Sequence, residues 1–115
     1  MYCNGEGVPI DSAEAAKWFL KAAEQGLADA QCHLGVLYYC GFGVPKDNAE
    51  AVRWYRKAAD QGNAQAQYNL GLMYLDGKGV PKDSAEAAKW FQLSADRGCA
   101  DARTNLGAMK GSQPT

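Results

Sequence analysis

Small and apolar residues recur along the chain in two alternating stripes, both with a helical period. The first runs Ala15, Trp18, Phe19, Ala22 and Ala23, an i, i+3, i+4, i+7, i+8 spacing that gathers them on one face of an α-helix. It follows Asp11 and stops at Gly26. An aspartate side chain accepts from free N–H groups at a helix start, and glycine adopts the left-handed conformation that closes a helix. Glu14, three residues after Asp11, completes a capping-box pattern. The second stripe, Ala30, Leu34 and Tyr38, lies in a segment from about Ala28 to Gly41. These segments are termed the Trp helix and the Leu-Gly helix.

Both patterns return at a fixed interval. Gly-Val-Pro begins at Gly7, Gly43 and Gly79, and tryptophan stands at Trp18, Trp54 and Trp90, always 36 residues apart. Residues 7–42 and 43–78 align without a gap and agree at 20 of 36 positions. Later Trp helices open at Asp47 and Asp83 with Glu50 and Glu86 behind them; later Leu-Gly helices span Ala64–Gly77 and Ala100–Gly111. The link Gly41–Asp47 has glycine and proline as turn punctuation, with Val44 as a buried anchor. Gly35, Gly71 and Gly107 fall inside the Leu-Gly helices. Glycine there costs up to about 1 kcal/mol against alanine, so their recurrence predicts a contact too close for a Cβ.

Tandem helix pairs of this length predict an all-α fold, an α/α solenoid in which each unit buries its apolar face against its neighbours. Composition supports close stacking, since alanine supplies 20 of the apolar residues while Val, Ile, Leu and Phe together supply 18. The segment Ala64-Gln-Ala-Gln-Tyr-Asn-Leu-Gly-Leu-Met-Tyr-Leu-Asp-Gly-Lys-Gly-Val80, followed by Asp83-Ser-Ala-Glu-Ala-Ala-Lys-Trp-Phe91, resembles the Sel-1-like repeats, relatives of the tetratricopeptide repeats, almost position for position. The resemblance implies a right-handed superhelix and a non-enzymatic adaptor or scaffold that binds a peptide or helix of another protein. In that family's phase the Leu-Gly helix comes first. The chain then divides into a partial repeat over 1–26, full repeats over 27–62 and 63–98, and a partial repeat with a tail over 99–115. Polar capping repeats are lacking, so the chain reads as a fragment of a longer protein or as an uncapped array. Its end faces, around Trp18, Phe19 and Leu106, are expected to associate with other copies.

Charge narrows the partner class. The 12 basic and 13 acidic residues nearly cancel and the pI is about 5.7, unlike the basic stripe of a nucleic-acid binder. No apolar run approaches the roughly 20 residues of a membrane span. Met1–Ile10 lacks the basic start and apolar centre of a signal peptide. A cytoplasmic setting is favoured for the chain as it stands, with a periplasmic or secreted one open if it is a piece of a longer protein.

Positions constant among repeats are expected to serve the stack, and variable ones a partner. The variable set on the first Leu-Gly helix is Asp29, Cys32, Val36, Tyr39 and Cys40, a single helical stripe. Its equivalents are Gln65, Tyr68, Leu72, Leu75 and Asp76, then Asp101 and Thr104. In the related tetratricopeptide repeats this stripe lines the concave groove. Two readings stand side by side: a groove for a peptide or amphipathic helix, or residues of adjacent repeats burying one another.

The four cysteines, Cys3, Cys32, Cys40 and Cys99, form no Cys-x-x-Cys pair. On one helix Cys32 and Cys40 stand roughly 12 Å apart, too far for a disulfide, so free thiols and a reducing compartment are expected. Cys3, Cys32 and Cys40 align to the variable stripe, where cysteine acts as a small apolar residue; a thiol redox or soft-metal protein is the alternative function. His33 reads as a polar residue hydrogen-bonding near the inter-repeat turn. No Ser-x-x-Lys nucleophile and no cofactor motif occurs. Some cysteine-rich Sel-1-like relatives handle β-lactams and carry a cysteine pair in every repeat, which this chain lacks; a hydrolase of that kind is a further alternative. The Gly41-Phe-Gly43 and Gly77-Lys-Gly79 turns follow helices rather than strands and lack a third glycine, so they are not phosphate loops.

Overall fold

The computed structural model of the chain describes residues 12–111. It contains α1 (Ser12–Glu24), α2 (Ala28–Cys40), α3 (Asn48–Asp60), α4 (Ala64–Asp76), α5 (Ser84–Asp96) and α6 (Ala100–Gly111), with no strand among the described residues. The odd-numbered elements are Trp helices and the even-numbered ones Leu-Gly helices.

Local chemistry sets the boundaries. The carboxylates of Asp47 and Asp83 accept from the backbone N–H of Glu50 and Glu86 at 3.1 and 3.0 Å, satisfying donors that the first turn leaves free. The glutamates do not reciprocate as a capping box would have them. Glu50 pairs with Arg53 at 2.5 Å and Glu86 with Lys89 at 3.5 Å, while the Asp47 and Asp83 N–H groups donate to Tyr38 and Tyr74 carbonyls at 2.9 Å. That last bond ties each linking loop back to its Leu-Gly helix. Gly41 and Gly77, at φ +75° and +68°, close α2 and α4 in the left-handed conformation. Asp11 and Val8 lie outside the described residues, and Val44 and Val80 are half-buried anchors rather than buried ones.

Helices pack in chain order, most extensively α2 on α3 and α4 on α5. Trp54 sits with Leu34, Leu37 and Ala30 of α2; Tyr55, Ala58 and Ala59 join Ala66, Leu70 and Met73 of α4; Phe91 and Ala95 meet Ala102 and Leu106 of α6. The glycine prediction holds at two positions: a Cβ on Gly35 would stand 2.6 Å from the Tyr55 ring, and one on Gly71 2.7 Å from Phe91. At Gly107 it fails, because no atom lies within 4 Å. Leu106, expected on an exposed end face, is buried against α5. On α1, Trp18 is 65% exposed where Trp54 is 5% and Trp90 6%, and Phe19 is half-buried.

A side-chain clasp closes each turn between a Trp helix and the Leu-Gly helix after it. Gln31 Nε2 donates to the Ala23 carbonyl (3.1 Å), Gln67 Nε2 to Ala59 (3.2 Å), and Arg103 to Ala95 (3.5 Å). Gln61 Nε2 in turn donates to Gln31 Oε1 at 2.8 Å, joining one clasp to the next unit. The assembled array measures 50 × 24 × 23 Å.

Candidate functional site

The Leu-Gly helices run side by side in the same direction, so their N-termini form one edge of a shared face and their C-termini the other. A cavity of about 330 Å³ opens on this face, lined by Cys32, His33 and Val36 of α2, Gln65, Tyr68 and Asn69 of α4, and Asp101 of α6. Cys32, Val36, Gln65, Tyr68 and Asp101 belong to the variable stripe. His33 and Asn69 are the lining residues that the comparison of repeats passed over, although the His-for-Asn exchange at that position was its visible signal.

The stripe residues divide by environment. Cys32 is 5% exposed and part of the core, contrary to the expectation that a variable position is free for a partner. Its sulfur accepts from Asn69 Nδ2 at 3.8 Å. Burial, reinforced by the Asp29 carboxylate, pushes its thiol up to about 12 against an opposing hydrogen bond from Asn69. A buried thiol so held stays protonated at neutral pH, the opposite of the exposed, lowered thiol of a reactive cysteine. Tyr68 is half-buried with its ring 5.8 Å from Phe91, and burial raises its phenol. Val36, Leu72 and Leu75 are half-buried against the core.

At the N-terminal edge, Asp29, Gln65 and Asp101 are exposed. Asn63 donates to the Asp29 carboxylate at 2.7 Å and Gln65 to Asn69 Oδ1 at 3.1 Å. Thr104 turns its hydroxyl back to the Ala100 carbonyl at 3.1 Å. His33 hydrogen-bonds near the inter-repeat turn as expected: it is exposed, with Nδ1 2.8 Å from the Asp29 carbonyl, and its ring also stacks on Phe19 at 5.1 Å and 5°.

The C-terminal edge is basic. Lys46 and Lys78 lie 4.7 and 5.3 Å from the Tyr39 ring centre, and Lys78 donates to the Tyr39 hydroxyl at 2.9 Å. That hydrogen bond raises the Lys78 ammonium above its ordinary value. Asp76 is exposed at the same edge. Cys40 corrects the expectation of free thiols: it is disulfide-bonded, whereas Cys32 and Cys99 are free. Among the described residues no three His, Cys, Asp or Glu side chains cluster as metal ligands, and no helix is long and apolar enough to cross a membrane.

The Sel1 repeat model matches residues 1–27, 28–63 and 64–99. The chain belongs to the Sel1 repeat family. Similar solved structures include a protective antigen of uropathogenic Escherichia coli strains displaying an SLR fold. It is 45% identical with a TM-score of 0.86, over 94% of this chain and 23% of the antigen. A Sel1 repeat protein from Oxalobacter formigenes is 42% identical with a TM-score of 0.82, over 90% of this chain and 43% of that protein. The cysteine-rich protein B of Helicobacter pylori is 30% identical with a TM-score of 0.79, over 84% of this chain and 73% of that one. The Sel1 array here therefore spans less than half the length of the first two. A search of curated proteins gave no match. Sel1 repeats serve in general as non-catalytic scaffolds for protein interactions.

Proposed function

We propose that this Sel1 array binds a short extended or helical segment of another protein across its Leu-Gly helices. The observation that carries this reading is the convergence of Val36, Tyr68 and Asp101, from successive Leu-Gly helices, on one cavity of about 330 Å³. A half-buried aromatic beside an aliphatic side chain is the usual anchor of such contacts. The charged edges add orientation: acidic Asp29 and Asp101 stand at the helix N-termini, while Lys46 and Lys78 stand beyond the C-termini. The preferred segment has an apolar side chain at its centre, a cationic one toward Asp101 and an anionic one toward Lys46 and Lys78.

Selection of a displayed peptide library against the array tests this. Binders should share that charge order and lose at least tenfold in affinity with Gln65→Arg or Asp101→Arg, both exposed positions, with unchanged melting. Binders indifferent to both substitutions, or a library that yields none, would overturn the reading.

A further inference from the structure

The cavity of about 330 Å³ across the Leu-Gly helices opens at an exchange between repeats. Positions 32, 68 and 104 are equivalent and hold Cys, Tyr and Thr. Tyr68 lays its ring against Phe91, with 5.8 Å between centroids. Cys32 brings no ring to the same place one period earlier, and the opening lies beside it. Between Val36 and the Tyr68 ring there is room for a planar side chain that the repeat itself does not supply.

The hydrogen-bonding groups around it are one-sided. Gln65 Nε2 donates to Asn69 Oδ1 at 3.1 Å and Asn69 Nδ2 to the Cys32 sulfur at 3.8 Å. Both amide nitrogens are thus engaged within the wall, and Gln65 Oε1 is left to accept. His33 Nδ1 lies 2.8 Å from the Asp29 carbonyl; a carbonyl only accepts, so the proton of the neutral ring sits on Nδ1 and Nε2 presents a lone pair. The third acceptor is the Asp101 carboxylate, which after burial raises the Tyr68 phenol and so lies near that ring. Among the described residues no lysine or arginine lines the cavity. Asp101 is exposed, and so are Asp29 and Gln65 at the equivalent positions, where a further unit is stacked beyond them. The open mouth is therefore a property of this position within the repeat.

Acceptors at the mouth, an aromatic face and an apolar wall suit a guanidinium, which carries five N–H donors in one plane, no acceptor, and an aliphatic stem. We propose that the cationic residue of the segment bound by this array is an arginine, whose guanidinium enters the cavity over the Tyr68 ring and pairs with the Asp101 carboxylate. This rests on the groove reading above and adds to it the identity of one side chain. Gln65 Oε1 and His33 Nε2 accept from the remaining N–H groups, and the stem runs along Val36. A lysine ammonium has the charge without the plane, and so gives up both the stacking and the two-pronged pair with a carboxylate. A tyrosine has the ring without the charge.

The probe is Nα-acetylarginine methylamide, titrated into the full chain to tens of millimolar and followed by backbone amide shifts in nitrogen–proton correlation spectra. The lysine, citrulline and tyrosine methylamides are the comparators. The arginine probe should move the Gln65, Asn69 and Asp101 resonances saturably, and the other three should bind about tenfold more weakly, the loss that goes with a charge-assisted bidentate pair. Asp101→Asn, at an exposed position, should weaken the arginine probe to the same degree with unchanged melting. Absence of saturable shifts, a comparator that binds as well, or arginine binding that survives Asp101→Asn would each overturn the assignment. The groove reading fails on different evidence. Displayed peptides that bind the array without an arginine overturn the arginine assignment alone. A saturable arginine probe with no peptide recovered overturns the groove and leaves the cavity's choice of guanidinium standing.

Discussion

The Tyr55 ring occupies the space of the missing Cβ on Gly35, with two ring carbons 2.6 Å from where that atom would stand. Tyr55 is fully buried, so the ring has nowhere to retreat, and burial holds its phenol well above the ordinary tyrosine value. The glycine is therefore kept in mid-helix for packing, against its own poor helix propensity.

Gly35→Ala should destabilise the array by about 1–3 kcal/mol, the range of overpacked cores. Gly71→Ala meets Phe91 at 2.7 Å and should do the same. Gly107→Ala fills open space and should be neutral or stabilising by up to about 1 kcal/mol. Urea unfolding of the three variants checks the contrast; equal losses at all three would contradict it.

The aspartate caps should outweigh the ion pairs beside them. Asp83→Ala removes the bond to Glu86 N–H and should cost about 1 kcal/mol. Glu50→Ala removes an ion pair whose arginine is 60% exposed, and should cost less than about 0.5 kcal/mol. Thermal melts of both variants give the ranking.

Alkaline pH should weaken the fold through Cys32. Its thiol ionises at about 12 when folded against an ordinary 9.0, so above pH 9 the unfolded chain loses this proton first. The native state then binds more protons, and stability present below pH 9 falls as pH rises toward 12, by up to about 1.4 kcal/mol per unit. Cys32→Ala should flatten that slope between pH 9 and 10. Iodoacetamide at neutral pH should modify native Cys32 far more slowly than the unfolded chain, as followed by peptide mass spectrometry.

Cys40 should resist alkylation until the chain is reduced, while Cys32 and Cys99 react in unfolded, unreduced protein. Reduction should lower the melting temperature, since removing a native disulfide commonly costs about 2–4 kcal/mol. Free Cys40 in the unreduced chain would refute this.

Periodicity made much of the architecture legible. Asp47, Asp83, Gly41 and Gly77 act locally, and the places of Gly35 and Gly71 follow from the repeat itself. What it missed concerns the neighbours of each residue. Gly107 and Gly35 are the same letter at the same phase, yet only one faces an aromatic ring. Leu106 is buried because its contacts come from α5, behind it. Glu50 sits at a capping-box position, but the loop hydrogen bond to the Tyr38 carbonyl takes the N–H it would have reached. Variation between repeats picked out Val36, Tyr68 and Asp101, which line one cavity. Cys32, on the same stripe, is buried in the core, in keeping with its reading as a small apolar residue. The hydrogen bond of His33 near the turn was legible, but its stacking on Phe19 was not, because that ring lies on another helix.

The glutamine clasps have a genetic consequence. Gln31 and Gln67 close their turns by the same bond, to a carbonyl eight residues back, so these two turns are built alike, one 36-residue period apart. Duplicating or losing a whole 36-residue period by recombination between equivalent positions keeps each glutamine eight residues beyond its carbonyl, whereas a change of length inside the turn moves it away. Copy number is thus a quantity that inheritance can change in whole steps while these turns keep their form.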